Sequence, residues 1–258
     1  MRSGMSACAV AVSLIVATWC GGAESDQSTV GRPTVYIGGG AIISSKPYEG
    51  MDAKVYPVPL FGYEGKRLYF RGVTGGYWLF TWNGFSVGPV LQPRLDGFEE
   101  DDSSALAGMH NRDWSVDGGV GVSWLTDIGL FGLTFVSDLL GRHDGQELEF
   151  SYTILFEWGG FDVIPSTGVR WKSENLVDYY YGVRADEVRF DPALARLAYD
   201  GDDAVDPYVR LAVRHKLASR WSLLAAAQYE WLDDEITDSP IVDKSYEASF
   251  LLGLLYSW

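Results

Sequence analysis

Three histidines, His110, His143 and His215, are the first candidates for catalytic chemistry in this sequence. His143 is followed directly by Asp144, and such a pair could serve as a general base with an orienting carboxylate. Both residues lie in a predicted turn, 140–145, for which a polar, solvated turn is the simpler interpretation. The spacing of the three histidines is not typical of zinc ligands. The sequence therefore predicts a protein that is not an enzyme and that holds no metal ion or cofactor.

Charged residues that alternate with apolar ones along predicted strands form a second set of candidates. If the strands close into a barrel, these side chains face the lumen. There they could form an electrostatic constriction in a pore. They could equally form a self-neutralising network that fills the lumen, because charges inside a narrow barrel must pair. The candidate lumen-lining residues are Glu147, Glu149, Glu157, Arg170, Arg184, Arg210, Arg214 and Lys216, accompanied by Asp117 and Asp162.

Three acidic runs, 99–102, 200–203 and 233–235, stand between the predicted strands. Through divalent cations they could bridge to the phosphates of lipopolysaccharide in an outer membrane. No run has the ligand spacing of an EF-hand loop. Solvated loops are therefore the simpler interpretation.

Alternation of apolar and polar residues with a period of two runs through most of the chain and predicts strands. Many alternating segments are 11–13 residues long, as in 246–258. A tilted strand needs about 9–11 residues to cross a bilayer. Tryptophans stand at both ends of an apolar face, as in Trp114 with Trp124 and Trp221 with Trp231, and membrane barrels carry such aromatic girdles. The pattern predicts an all-β, antiparallel transmembrane β-barrel.

We expect about twelve strands, within a range of 10–14. Asn83-Gly84 predicts a two-residue hairpin turn. The segment 66–82 contains Thr74-Gly75-Gly76 and is long enough to bend or to form two strands. The expected strands are 33–44, 53–64, 66–82, 85–97, 113–125, 129–139, 146–158, 160–171, 178–188, 205–217, 220–232 and 246–258.

Composition and the N-terminal residues indicate the cellular location of the protein. It has 258 residues and a formal net charge of −15, which argues against a nucleic-acid partner because that partner requires a basic face. Both cysteines, Cys8 and Cys20, lie in a basic and then apolar stretch typical of a secretory signal peptide cut after Ala23. We expect 1–23 to be the signal peptide and 24–258 the barrel, located in the outer membrane of a Gram-negative cell.

Five segments of the chain, in this order and spacing, resemble those of a known family. They are Gly38–Gly40 followed by Tyr48–Gly50, Val55–Pro59, Gly141–Gly145, Tyr179–Val183, and Leu232 followed by Asp238–Val242. The resemblance is to the MltA-interacting protein (MipA)/OmpV family of outer-membrane proteins, and it extends from about residue 33 to the end. The segment 98–112 resembles the family only loosely, through Leu106–Met109.

The resemblance implies an outer-membrane barrel that acts as a scaffold between a lytic murein transglycosylase and a penicillin-binding protein, or as an adhesin or porin-like protein. It implies no catalytic residue. The motif Asp238-Ser239-Pro240 is expected to be structural, because Asp caps turns and Pro stiffens them, with a ligand-binding role as the alternative.

The leading hypothesis is thus a non-enzymatic scaffold in contact with outer-membrane lipid and with murein enzymes. It uses periplasmic turns, of which 98–112 is the longest if the strand count is right. The alternatives are a porin-like channel for small solutes and a lipid-modifying barrel with His143 or His110 as base.

Overall fold

The computed structural model describes residues 34–190 and 195–258, and the expected signal peptide lies outside them. Within these ranges no helix is both long and apolar enough to cross a membrane. The strands are β1 Thr34–Ser44, β2 Lys54–Glu64, β3 Leu68–Arg71, β4 Thr74–Tyr77, β5 Phe80–Trp82, β6 Phe85–Arg94, β7 Ser115–Thr126, β8 Gly129–Asp138, β9 Gln146–Thr153, β10 Phe156–Trp158, β11 Phe161–Lys172, β12 Ala204–Lys216, β13 Trp221–Trp231 and β14 Tyr246–Ser257. The helices are α1 Glu174–Tyr181, a 3-10 turn Ala185–Glu187 and α2 Asp234–Thr237.

These strands form one closed antiparallel barrel. β4 and β5 both pair with β6, and β9 and β10 both pair with β11, so each of these two pairs is one interrupted strand. β1 pairs with both β2 and β14, and β9 pairs with β11, which completes the ring. The barrel therefore has twelve strands, and the predicted fold class is confirmed.

The expected strand list contains two errors that cancel in the total number of strands. The strand expected at 178–188 is wrong, because most of it belongs to α1 and the 3-10 turn. The helix buries Leu176, Val177, Tyr180 and Tyr181, whose spacing puts them on one helical face. The segment 66–82 forms two strands, β3 and the interrupted β4–β5 strand. Every strand between the two errors consequently runs opposite to the expectation.

The two ends of the barrel differ in the length of their connections. One end holds five short turns, 65–67, 83–84, 127–128, 159–160 and 217–220, together with Thr34 and Trp258. We call it the short-turn end. The cap end holds the longer connections 45–53, 95–114, 139–145, 173–203 and 232–245. In outer-membrane barrels the short turns face the periplasm and the longer loops face outward.

The reversal of strand direction moves 98–112, which was expected among the periplasmic turns. It lies within the connection 95–114 at the cap end, so this expectation is corrected. The turn at Asn83-Gly84 is confirmed, since φ is 48° at Asn83 and 79° at Gly84, as a type I′ hairpin turn requires.

The exterior of the barrel has the dimensions of a bilayer. Large apolar side chains are exposed along the strands, and Trp114 and Trp124 are half-exposed at opposite ends of β7. Ten residues rise about 33 Å along a strand, and a tilt of 35–45° reduces this to a height of about 25 Å. That height equals the apolar band of a transmembrane barrel, so the two tryptophans mark its two interfaces.

The interior of the barrel is divided into two parts. Beside β1, β2 and β11–β14 it is filled by apolar side chains, among them Ile42, Leu60, Ile164, Leu224, Leu251 and Leu255. Leu251 and Leu255 interrupt the polar face of the last strand in the sequence, and this cluster explains why. The rest of the lumen contains a cavity of about 210 Å³ lined by residues of β3, β4, β6–β9 and β11–β14.

Candidate functional site: the lumen and its cap

Arg170 of β11 is the centre of one buried ion-pair network. It lies in the part of the lumen next to the cap end, which we call the upper lumen. Its Nε donates to Glu149 of β9 at 2.8 Å, and its Nη1 donates to Glu230 of β13. The guanidinium carbon lies 4.4 Å from the centre of the Tyr208 ring, a cation–π contact. Lys172 pairs with Glu230 at 3.4 Å and with an acid of β12, Asp206. The network joins four strands across the lumen.

Arg94 of β6 is the centre of a second buried network. It donates to Asp117 of β7 at 2.6 Å, to Glu147 of β9 at 3.0 Å and to Asp96 of the connection 95–114 at 3.1 Å. The network thus links the barrel wall to the cap. Charges removed from water are tolerated only when paired and hydrogen-bonded, and these groups meet that condition.

The structure distributes the sequence-predicted lumen residues over three places. Glu147, Glu149, Arg170 and Arg210 lie in the upper lumen, where Arg210 donates to Gln228 at 2.9 Å. Arg214 pairs with Asp162 at 2.6 Å near the short-turn end, where both are partly exposed. Lys216 and Glu157 are exposed at that mouth.

Arg184 does not line the lumen, because the strand expected around it does not exist. It immediately precedes the 3-10 turn in the cap and is exposed. Its backbone N–H donates to Glu187 at 2.9 Å, at the start of the turn.

The cap is a second folded core that closes the lumen at one end. Its buried apolar residues come from four connections and include Tyr48, Phe98, Leu106, Leu176, Tyr180 and Ile236. These residues lie in connections that extend beyond the strands, so they are buried by packing on one another at the cap end of the barrel. The cap end of the barrel is consequently covered by protein.

Arg112 and Glu187 form the polar centre of the cap. The two guanidinium Nη atoms donate to the two carboxylate oxygens at 2.9 and 2.8 Å, and the side chains are 1% and 0% exposed. Arg112 also donates to the carbonyl of Tyr179 at 2.6 Å. Burial alone would raise the pKa of Glu187, but hydrogen bonds from Arg112 and from backbone N–H groups outweigh it and lower the pKa to about 2.

His143 is a buried structural residue, which corrects the expectation of a solvated turn. Its Nδ1 accepts a hydrogen bond from the backbone N–H of Gly145 at 3.0 Å, so the ring proton is assigned to Nε2. Nε2 then donates to Asp117 at 3.1 Å. With a fully buried ring, His143 has no access to a substrate.

The potential metal ligands Asp117, Asp138 and His143 converge within 4.8 Å, yet their hydrogen bonds do not fit a metal ion. A metal ion bound at Nε2 would need the free lone pair of the neutral ring on Nε2. The hydrogen bond from the Gly145 N–H needs that same lone pair on Nδ1, so the two cannot coexist. Asp138 accepts from Ser115 and from backbone N–H groups of its own turn. The cluster holds the connection 139–145 against the barrel.

The motif Asp238-Ser239-Pro240 joins two parts of the cap. The Ser239 hydroxyl is buried and donates to the carbonyl of Tyr181 at 2.5 Å, at the end of α1. Asp238 ends α2, where its N–H donates to Asp234 at 2.9 Å. These contacts account for the motif as a structural element.

Two further features went unrecognised in the sequence. Ser86 stands in a Gly-x-Ser-x-Gly pattern at 84–88, but it lies within regular strand β6 rather than on the strand-to-helix turn of a nucleophile elbow. Arg94 and Arg112, which organise the lumen and the cap, were not among the predicted site residues. Arg112 lies outside any periodic segment, so no local pattern identified it.

Comparison with known proteins places the chain in a family. The family model described as MltA-interacting protein MipA matches residues 37–258. The MltA-interacting protein of Escherichia coli is 30% identical over 254 residues, covering 96% of this chain and 98% of that protein. Outer membrane protein OmpV of Vibrio cholerae is 24% identical over 187 residues, covering 72% and 71%.

Among solved structures, an anion-selective porin from Comamonas acidovorans covers 88% of this chain and 99% of its own. Its identity of 9% and TM-score of 0.42 are too low to transfer a function. The family match, which spans nearly all described strands, identifies the chain as an outer-membrane β-barrel that belongs to the MltA-interacting protein MipA family.

Proposed function

We propose that this protein is a non-enzymatic scaffold of the outer membrane rather than an open porin. The observation that carries the proposal is the closed cap end of the lumen. The cap core covers it, and the buried networks of Arg94 and Arg170 cross the lumen beneath the cap. A solute would have to break buried ion pairs to pass, at a cost of several kcal/mol.

We propose a lytic murein transglycosylase as the partner, because the relative from Escherichia coli is named for its interaction with MltA. A penicillin-binding protein and outer-membrane lipid or lipopolysaccharide are the further partners expected for such a scaffold. A murein enzyme would meet the short-turn end, since that end faces the periplasm in barrels of this type.

Charge distinguishes the short-turn end from the cap end. The short turns contain three basic residues, Lys66, Arg67 and Arg220, and one acid, Asp127. The cap connections contain 22 acids and seven basic residues, a net charge of −15. Opposite charges steer association, so the short-turn end favours an acidic surface on its partner.

Binding of the purified transglycosylase to the refolded barrel tests this surface. Reversing the three basic charges with Lys66→Glu, Arg67→Glu and Arg220→Glu should weaken binding about tenfold or more, mainly through the association rate. Arg142→Glu with Arg184→Glu, two charge reversals at the cap end, is the control and should leave binding unchanged. Loss of binding only in the cap-end control would place the interface on the opposite face.

The second candidate function, a channel for small solutes, is favoured by the cavity beside β6–β9. Single-channel recording of refolded residues 24–258 in a planar bilayer separates the two functions. We expect no discrete current steps from the wild type, because the cap closes one end. Reproducible steps from the wild type would overturn the scaffold proposal in favour of the channel.

A further inference from the structure

The lumen cavity extends from the cap towards the short-turn end of the barrel. Its lining includes Asp96 and Tyr181 of the cap connections, and Leu130, which lies two residues beyond the turn 127–128. In the lower part of the cavity, the side chains of Leu130 and Ser123 are partly exposed, whereas the cap core covers the opposite end. Solvent therefore reaches the cavity from the short-turn end, which faces the periplasm in barrels of this type.

Two stacked aromatic rings form one wall of the cavity. The rings of Tyr69 and Trp78 have their centroids 4.7 Å apart and their planes inclined by 30°. Both residues line the cavity, but Tyr69 is buried whereas Trp78 is partly exposed. Because Tyr69 covers one face of the indole, Trp78 contributes its remaining surface to the cavity. Aromatic side chains supply large apolar contact surfaces, so this wall favours an occupant with an apolar face.

Three hydroxyl groups stand beside the aromatic stack. A Cβ placed on Gly121 would lie 3.9 Å from the nearest atom of the stack, and Thr134 is the cross-strand partner of Gly121. Ser123 follows on the same face of β7, and Gly132 of β8 separates it from Ser151 in the register of the sheet. Within the part of the chain that the structure describes, the side chains of Thr134, Ser123 and Ser151 make no hydrogen bond to another protein group. Their donors and acceptors are therefore available to an occupant.

Charge and volume restrict the chemistry of this occupant. The cavity lining contains five acidic and five basic side chains, so it carries no net charge that would attract an ion. An apolar cavity of about 150 Å³ is known to hold benzene. The lumen cavity, at about 210 Å³, has room for one six-membered ring with its substituents. A neutral molecule with an apolar ring face and a rim of hydroxyl groups matches both the aromatic stack and the hydroxyl groups beside it.

We propose that the lumen cavity is a binding site for a neutral saccharide that enters from the short-turn end. One apolar face of a sugar ring packs on Trp78. The hydroxyl groups around the ring form hydrogen bonds with Thr134, Ser123 and Ser151. This binding site is independent of the scaffold role, because it lies inside the lumen and the scaffold role rests on the outer surface of the short-turn end.

The first experiment tests the class of ligand by saturation-transfer NMR on residues 24–258 in nanodiscs. The probes are methyl β-D-glucopyranoside, whose equatorial hydroxyl groups leave both ring faces apolar, and sorbitol, which has six hydroxyl groups but no ring. We expect transfer to the ring C–H protons of the glucoside and only background transfer, as in protein-free nanodiscs, to sorbitol. Transfer to both probes or to neither would overturn the proposal.

Cellotetraose, a chain of four such rings, distinguishes two sources of the sugar. Transfer to cellotetraose as well as to the glucoside would support the end of a glycan chain as the occupant. Transfer to the glucoside alone would support a free monosaccharide.

The second experiment places the site by filling the cavity. A side chain at position 121 points into free space beside the stack, so Gly121→Phe should abolish transfer to the glucoside. Gly39→Phe is the matched control, because Gly39 is exposed on the outside of the barrel and a Cβ there would approach only the Val58 carbonyl, at 4.0 Å. Transfer that survives in Gly121→Phe, or is lost equally in both variants, would overturn the proposal.

A milder variant tests the hydroxyl groups without filling the cavity. Thr134→Val keeps the shape of the side chain and breaks no hydrogen bond within the described protein. It should weaken binding of the glucoside about fivefold, the effect of one hydrogen bond, in an NMR titration. Thr167→Val, on the exposed outer face of β11, should bind as the wild type does. Unchanged affinity in Thr134→Val would contradict the proposed contact.

Discussion

Replacing Arg112 with methionine is expected to destabilise the cap by about 3–5 kcal/mol, the usual effect of removing one partner of a buried ion pair. Methionine fills similar space but leaves the carboxylate of Glu187 buried without its bidentate donor. It also removes the bond to the Tyr179 carbonyl. Limited proteolysis of the refolded protein should show faster cleavage in 95–114 and 173–203, with the strands still protected.

Arg142→Met is the matched control for this prediction. Arg142 pairs with Asp113 at 3.0 Å in the same cap, but the side chains are 49% and 54% exposed. Solvent screening limits such a pair to about 1 kcal/mol or less. Equal protease sensitivity of the two variants would show that the Arg112–Glu187 pair does not hold the cap together.

The same pair makes the cap sensitive to acid. The pKa of Glu187 is about 2 in the folded protein, below its ordinary value of 4.5. A depressed pKa contributes stability that is fully present above the ordinary pKa and is lost as the pH falls through the folded pKa. Cleavage of the cap by pepsin should therefore rise as the pH decreases from 4.5 to 2. Glu187→Gln should be less stable at neutral pH and show a weaker dependence on pH over that interval.

Replacing Arg170 with methionine is the other change with a large expected effect, about 3 kcal/mol or more on barrel unfolding. Glu149 loses the guanidinium that donates to it at 2.8 Å and keeps the hydroxyl of Tyr208 at 3.0 Å. Glu230 retains Lys172 at 3.4 Å, so the loss falls mainly on Glu149. Guanidinium-induced unfolding in detergent, followed by tryptophan fluorescence, should give a lower midpoint than for the wild type.

Two comparisons make the Arg170 prediction specific. Arg214→Met breaks a partly exposed pair with Asp162 near the short-turn end and should shift the midpoint less. Adding Glu149→Gln to Arg170→Met should recover much of the lost stability, because it removes the carboxylate that Arg170→Met leaves without its guanidinium partner. A double variant as unstable as Arg170→Met alone would mean that packing against Tyr208, and not charge pairing, is what Arg170 provides.

The sequence by itself determined the architecture of the membrane-spanning part. Alternation predicted strands at 113–125 and 246–258, within two residues of the observed Ser115–Thr126 and Tyr246–Ser257, and Trp114 with Trp124 marked both interfaces. These features can be recognised in the sequence because a strand between lipid and lumen must alternate apolar and polar residues, whichever strands it pairs with. The hairpin turn at Asn83-Gly84 could also be predicted from the local sequence, because few residue types adopt positive φ.

Only the tertiary structure decided which end each connection occupies and which charges meet. The split of 66–82 into two strands moved 98–112 to the cap, because each added strand reverses the direction of those that follow. Glu187 pairs with an arginine 75 residues away, and Glu147 with one 53 residues away. Such pairs form only when the barrel closes and the cap packs. No periodic pattern in the sequence therefore predicts them. The aromatic run at 179–181 fits a strand or a helix equally well, and burial against the cap core selected the helix.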